Sequence, residues 1–571
     1  MAKIKSKRAD FKKVFQGFEG IRCDTGLSGV GASKMANFRI RSDGSLEKRN
    51  GYEQHFMYPE RIRGVWQGTV GDEFYSFHVA GFQVIQTIYP DIKILTRLPT
   101  TSGRVSFLKY GEELYLLDGQ DLWVFRPNKM IFERASAYAP LYGQNWHPSS
   151  YGQVNEPLNL LTDRLRVHYL NTTGSTDFSL PYFAKTIDHV RVNGSEVSSY
   201  ALNGMGDTLI VPSAADASTV EVAYTMDYVR PLAAQIKQCV HVFENRSEDG
   251  EDAFFYGAPE GYRLFYSTPV STPMLNYCKV SYPTTDPIYV TDTSVINLGD
   301  KTHPITQLCR HHDRVMVWNS LGAWAMEKDK ESGEWEHHTV IKDFGCLKHK
   351  DVFVYQNDLF LLSSLGLYRI HSNTGTPDDY RFTKLTDHVK DLFTTAWWEN
   401  AFFILNTRHN EIWIRNESDT MGRVWVYNLV LEKWYCFESI YADEFFHWDG
   451  NIAFRHDNQR WCVFSEDLLT DRDTAINASY YSNYMCFDEP ESAIRALRVA
   501  ICGIPGNNLT YFILDTDHLT QSYVLDRYSG AIPKVIDKRL GVKRFHCMRF
   551  RISSMGRENA RYYQLSLYTK S

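Results

Sequence analysis

Apolar and polar residues alternate along most of this chain with a period near two, in short runs divided by polar turns. That period belongs to half-buried β-strands. Stretches 105–125, 305–326 and 346–370 share one plan. A polar turn leads into an apolar strand (LYLL at 114–117, VMVW at 315–318, LFLL at 359–362). A Gly- or Asn-containing turn follows, and then a strand with an aromatic residue (LWVF at 122–125, AWAM at 323–326, LYRI at 367–370). Weaker copies lie at 64–86, 254–268, 401–414 and 423–437. A repeated antiparallel unit of roughly 40–50 residues reads as a propeller blade, because radial closure removes exposed sheet edges. An array of β-sandwiches with similar hairpins is the competing reading. Helical periodicity is nearly absent. Its best instance is TDHVKDLF at 386–393, where Val389, Leu392 and Phe393 share a face.

Two stretches break the repeat. At 145–227 a strand, an Asn-Gly turn and a strand (VRVNGSEVSSY, 190–200) precede TLIV at 208–211 and VEVAY at 220–224. Such spacing suggests a sandwich of Ig-like size set into a surface loop. At 488–571 the alternation at 496–501, 510–514, 545–552 and 562–568 suggests a further β-rich domain. The expected fold is therefore all-β: a basic N-terminal arm at 1–14, a divergent β-propeller platform at 15–144 and 228–487, an inserted Ig-like β-sandwich at 145–227, and a C-terminal β-rich domain at 488–571.

Composition narrows the function more than the fold. The chain has 571 residues, too many for one core, and aromatic residues make up 14%, which suits pleated surfaces. A net charge of −6 supplies no field to grip nucleic acid. The first residues, MAKIKSKR, carry no apolar segment of the kind a signal peptide needs, and no apolar run is long enough to span a bilayer. Ten cysteines stand singly without a CxxC pair, which leads us to expect reduced thiols rather than a disulfide framework.

Candidate chemistry is sparse. His311, His312 and Asp313 adjoin one another, as do His337 and His338, but neighbours on a strand point to opposite faces. We read them as turn or solvated residues, and expect no metal and no cofactor. A propeller glycosidase needs inward carboxylates; Asp118, Asp313, Asp358 and Glu411 sit in or beside turns, where aspartate usually caps the backbone. No GxSxG or GxxxxGK[ST] motif occurs. The lone cysteines Cys309, Cys462 and Cys502 lie in apolar strands and read as small core residues. We expect no catalytic site.

The segment FQGFEGIRCDTGLSGVGASKMANFRIRSDGSLEKRNGY at 15–52 resembles the N-terminal region of tail nozzle proteins of short-tailed bacteriophages, also called tail tubular or tail-stabilisation proteins. The likeness rests on Ala36, Asn37, Phe38, Gly44, Leu46, Arg49, Gly51 and Tyr52, read as a strand, a Ser-Asp-Gly turn and a return strand that open the first blade. Asn50 stands where that family usually has proline. The SSLGLYRI hairpin at 363–370, the VNGSEV hairpin and the strand at 544–551 extend the likeness. The resemblance implies a homo-oligomeric ring of six copies in a virion tail, assembled in the host cytoplasm. Its lumen would pass genome DNA, and its faces would meet portal-adaptor ring proteins, tail fibre or spike proteins and the host surface. The alternatives are a glycan-binding or glycan-hydrolysing propeller, and a distal-tail receptor-binding protein.

Overall fold

The computed structural model describes residues 10–24, 31–145, 154–217, 219–228, 230–247, 250–268, 286, 288–330, 332–373, 376–486, 495–525, 532–542 and 545–570. The described chain is all-β, in many small and mostly antiparallel sheets. It divides into two units, Ile62–Cys346 and the pair Met1–Arg61 with Leu347–Ser571. Among the described residues no helix is long and apolar enough to cross a membrane.

In Ile62–Cys346, four sheets are four-stranded meanders, each strand pairing with the next in sequence. They begin at Ile62–Val70, Ser106–Tyr110, His241–Ser247 and Gln307–His311. The second and third strands are the apolar ones. Glu113–Leu117, Gly250–Tyr256 and Arg314–Trp318 are buried over most of their length, on both faces. Outer strands such as Asp91–Arg97 are largely exposed.

The same unit carries the inserted domain. Leu141–Gln144, Arg164–Leu170, Thr219–Met226, Ala184–Val192 and Ser195–Glu196 form one sheet, and Asp177–Ser179, Thr208–Ile210 and Ala201–Leu202 form another. Leu165, Val167, Val220 and Val222 from the first meet Phe178 and Leu209 from the second in a separate core. Asn193 and Gly194 close a two-residue hairpin with φ of 46° and 80°, as the Asn-Gly pair anticipates.

The expected edges of this domain need correction. Leu160 and Leu161 belong to the core of the neighbouring sheets, beside Ile288 and Val290. Asn159 donates to the carbonyls of Tyr138 and Ile288 and accepts from the amides of Leu161 and Val290. The continuous segment of the sandwich therefore runs from Asp163 to Met226, whose backbones are joined by a 2.8 Å hydrogen bond, and Leu141–Gln144 adds an edge strand from outside it. Excising 164–225 and closing the gap with a short Gly-Ser linker should leave the rest of the unit folded. Excising 145–227, which also removes Leu160 and Leu161, should not; limited proteolysis and thermal melting distinguish the two outcomes.

The other unit holds three more such sheets, two of them four-stranded and the third six-stranded, with Thr470–Asp471 and Thr474–Ala475 at one side. Two are meanders beginning at Val352–Tyr355 and Ala401–Asn406; the latter joins both stretches that looked like separate copies, 401–414 and 423–437. In the third, Glu444–Trp448, Asn451–His456 and Arg460–Phe464 are completed by Tyr52–Met57 from the start of the chain. The helical pattern at 386–393 becomes a 3-10 turn, Asp387–Leu392, with Val389 buried.

The expected C-terminal domain is real as strands but is not made from the C-terminus alone. One sheet runs Phe38–Ile40, Leu46–Lys48, Arg561–Lys570, Arg495–Ile504 and Lys534–Arg539, with Asp10–Gln16 also pairing Arg561–Lys570. The second combines Ala32–Ala36, Ala478–Ser482, Cys547–Met555, Leu509–Thr516 and Thr520–Leu525. Val499, Ile501, Leu565 and Leu567 from the first and Phe512, Leu514, Phe550 and Ile552 from the second share a core. Hence the 37–52 hairpin does not open a blade; it edges this sandwich, and only Tyr52–Met57 enters a meander. The expected basic arm likewise ends sooner, since a strand starts at Asp10; residues 1–9 lie outside the described residues.

One expectation about cysteines is overturned. Cys486 and Cys547 form a disulfide, with Cα atoms 4.6 Å apart and a sequence separation of 61 positions. They are directly opposed on paired strands, a proximity that spacing along the chain does not reveal. Cys309 and Cys462 are free and buried, as small core residues should be, whereas Cys502 is free but only partly buried.

Candidate functional site

The residues that carry the family resemblance converge on one buried polar junction. Asn37 sits between two short strands with φ of 57°, a left-handed conformation that asparagine tolerates better than most residues. Its Oδ1 accepts from Arg49 Nε at 2.8 Å and from the Glu438 amide at 2.8 Å, and its Nδ2 donates to the Asn477 carbonyl. Arg49 is fully buried and uses all five of its N–H donors. Beyond Asn37 these reach both oxygens of Asp471, at 2.8 and 2.5 Å, and the carbonyls of Asn50 and Glu438 at 3.0 Å. One side chain thus ties the hairpin to two distant segments, at Glu438 and Asp471.

A second buried ion pair lies alongside. Arg39 grips Glu411 with Nε and Nη2, and Glu411 also accepts from Trp413 Nε1 at 2.7 Å and Tyr435 Oη at 2.6 Å. Burial opposes the charge on Arg39, but the adjacent Glu411 carboxylate outweighs it and raises the guanidinium pKa. Burial first, and the Glu411 charge second, push the Tyr435 phenol well above its ordinary value. At the far edge, Lys48 donates to the carbonyls of Gly556 and Glu558 at 2.7 and 2.8 Å. Burial, then the neighbouring Arg49 charge, bring it down to about 8.

The remaining motif positions are steric or apolar. A Cβ on Gly51 would lie 1.9 Å from the Thr470 carbonyl oxygen, and Gly44 turns with φ of 76° against Gly17. Phe38 packs edge-on to Tyr562, and Tyr52 edge-on to Phe454 and Phe464. Asn50, in the place of proline, donates to the Glu466 carbonyl at 2.5 Å. A small cleft opens beside the junction, lined by Arg39, Arg49, Arg408, Trp413 and Glu466. Its arginines 39 and 49 are already committed to Glu411 and Asp471.

The four carboxylates weighed for glycoside hydrolysis are each engaged elsewhere. Asp118 caps its own turn, accepting from the amides of Gln120 and Asp121. Asp313 is exposed and pairs with Arg310 at 3.5 Å. Asp358 holds Arg369 and His371. Glu411 is the buried anion of the junction rather than a turn residue. Of the histidines, His312 lies in a turn, His337 and His338 are exposed on an outer strand, and His311 is buried, contrary to the solvated role expected of it. Among the described residues, metal-ligating side chains come together at Asp517, His518 and His546. No sequence signal marks that trio, because 29 positions separate Asp517 from His546 and strand pairing alone unites them.

No family model matches this chain, and no curated protein matches it. Among solved structures it is similar to the WD40 domain of SCAP from fission yeast, with 9% identity and a TM-score of 0.32 over 80% of this chain and 98% of that one. It is also similar to an exo-beta-1,3-galactanase from Phanerochaete chrysosporium, with 9% identity and a TM-score of 0.16 over 81% of this chain and 95% of that one. At these TM-scores neither likeness decides anything about activity or ligand.

Proposed function

We propose that this chain is a structural subunit of a short-tailed phage tail, a nozzle protein whose copies form a ring around the path of the ejected genome. The observation that supports this reading is the junction at 37–52. Asn37, Arg49, Gly51 and Tyr52 have mechanical duties there: a left-handed corner, a five-fold guanidinium clamp, a close backbone approach and an aromatic wedge. A part that must hold shape under DNA pressure gains from that kind of over-determined joint.

In this proposal the six four-stranded meanders and the six-stranded sheet that Tyr52–Met57 joins are blades of a divergent propeller. The inserted and C-terminal sandwiches are the docking modules for adaptor and fibre. A net charge of −6 suits a conduit that must not retain its cargo. The test is assembly: the purified protein, alone and mixed with portal and adaptor proteins of a short-tailed phage, is examined by sedimentation and electron microscopy. Rings that dock onto the adaptor are the expected result. A persistent monomer that binds or cleaves oligosaccharides would overturn the proposal in favour of a glycan-directed propeller.

A further inference from the structure

We propose that Asp517, His518 and His546 form a binding site for zinc or a related late first-row divalent cation. Asp517 and His518 lie in the turn between Leu509–Thr516 and Thr520–Leu525, and His546 immediately precedes Cys547–Met555. The pairing of Thr516 with Met548 and Asp515 with Arg549 carries the turn alongside the start of that strand. Asp517 Oδ2 lies 2.9 Å from His546 Nδ1 and 3.4 Å from His518 Nε2, and all three donor atoms fall within 4.8 Å of one another.

Those separations bracket the spacing a small cation needs: the 3.4 Å pair stands at it, and the 2.9 Å pair is a hydrogen bond that opens by about half an ångström around an ion. A tetrahedral zinc with bonds of about 2.0–2.2 Å sets its ligand atoms about 3.3–3.5 Å apart. Two imidazoles and one carboxylate favour zinc, copper, nickel or cobalt over calcium or magnesium, which prefer all-oxygen sites. The carboxylate is also oriented from behind. The His546 amide points at both Asp517 oxygens, at 3.2 and 3.3 Å, and the Asp517 amide donates to the Cys547 carbonyl at 3.2 Å. Outer hydrogen bonds of this kind fix a ligand before the metal arrives. The three side chains are open to solvent, so an ion can enter, and a fourth position is left for water or for a ligand from another chain.

The site shares its strand with the disulfide, since His546 adjoins Cys547. A bound ion fastens the hairpin turn to the beginning of Cys547–Met555, where the disulfide fastens the other neighbour, Met485–Cys486. Both staples act at the same end of the strand Cys547–Met555, which is central in its sheet.

The experiment uses the full chain, stripped with a chelator and titrated with zinc by calorimetry and with cobalt by visible absorption. One equivalent per chain is expected, with a rise in melting temperature on adding zinc. His518→Ala with His546→Ala should weaken zinc binding at least tenfold and abolish the thermal shift, while leaving the metal-free melting temperature unchanged. His337→Ala with His338→Ala should bind as the parent does. If the parent takes up no stoichiometric zinc, or if the 518/546 double variant binds it equally well, the assignment fails.

Discussion

Replacing Arg49 with alanine should cost about 3–5 kcal/mol of stability, a loss typical of stranding a buried charge. Asp471 is its bidentate partner, only 9% exposed, and would be left without that neutralisation. Asn37 would lose the group that fixes its left-handed corner, and the carbonyls of Asn50 and Glu438 would lose a donor each. Lysine should not rescue the site, since a point ammonium cannot reproduce five donors in a planar fork. Asp471→Ala should cost a similar amount. The Arg49→Ala, Asp471→Ala double variant should fall short of the sum by about 1–3 kcal/mol, because the second change removes the charge that the first one stranded. The exposed pair of Lys129 and Glu133 offers a control, at about 0–1 kcal/mol. Urea titrations of the four variants measure these differences. A cost for Arg49→Ala no larger than that of the control would show that the junction does not bear the structure.

Acid should destabilise Ile62–Cys346 through a single histidine. His78 lies within Glu73–Ala80 and is completely buried. Burial lowers its pKa to about 3, from an ordinary value of 6.5. Below pH 6.5 the unfolded chain therefore binds a proton that the folded chain refuses. The stability conferred by a neutral His78 is complete above pH 6.5 and drains away as pH falls toward 3. The loss should be about 2 kcal/mol between pH 7 and 5, and about 4–5 kcal/mol by pH 3. His78→Leu has no proton to gain. Its baseline stability will shift, but the pH dependence between 7 and 5 should flatten by about 2 kcal/mol relative to the parent. Chemical denaturation at the two pH values measures the slope, and equal slopes in parent and variant would refute the assignment.

The strands that were legible in the sequence are those buried on both faces. LYLL, VMVW and LFLL announce themselves because nothing polar interrupts them, and all three lie in second strands of meanders. The outer strands did not show: Asp91–Arg97 and Trp335–Lys342 are mostly exposed, so no burial imposed a pattern on them. The sheet built on Glu444–Trp448 escaped notice as a repeat because the strand beside Arg460–Phe464 comes from the start of the chain. The 37–52 hairpin is legible in the sequence, yet its place in the fold is not. A hairpin shows its own turn in sequence, whereas its partner here, Arg561–Lys570, lies more than 500 positions away.

By itself, then, the sequence determined the doubly buried strands, several of their turns and the presence of two stretches outside the repeat, because period, turn chemistry and composition act over a few residues. Tertiary structure alone decided where the N-terminal strands are inserted, that Cys486 meets Cys547, that Arg49 finds Asp471 and that two histidines and an aspartate share one corner. All of these are pairings between distant segments. They follow from which sheet edge remains open to be filled, and the local alternation of residues carries no record of that.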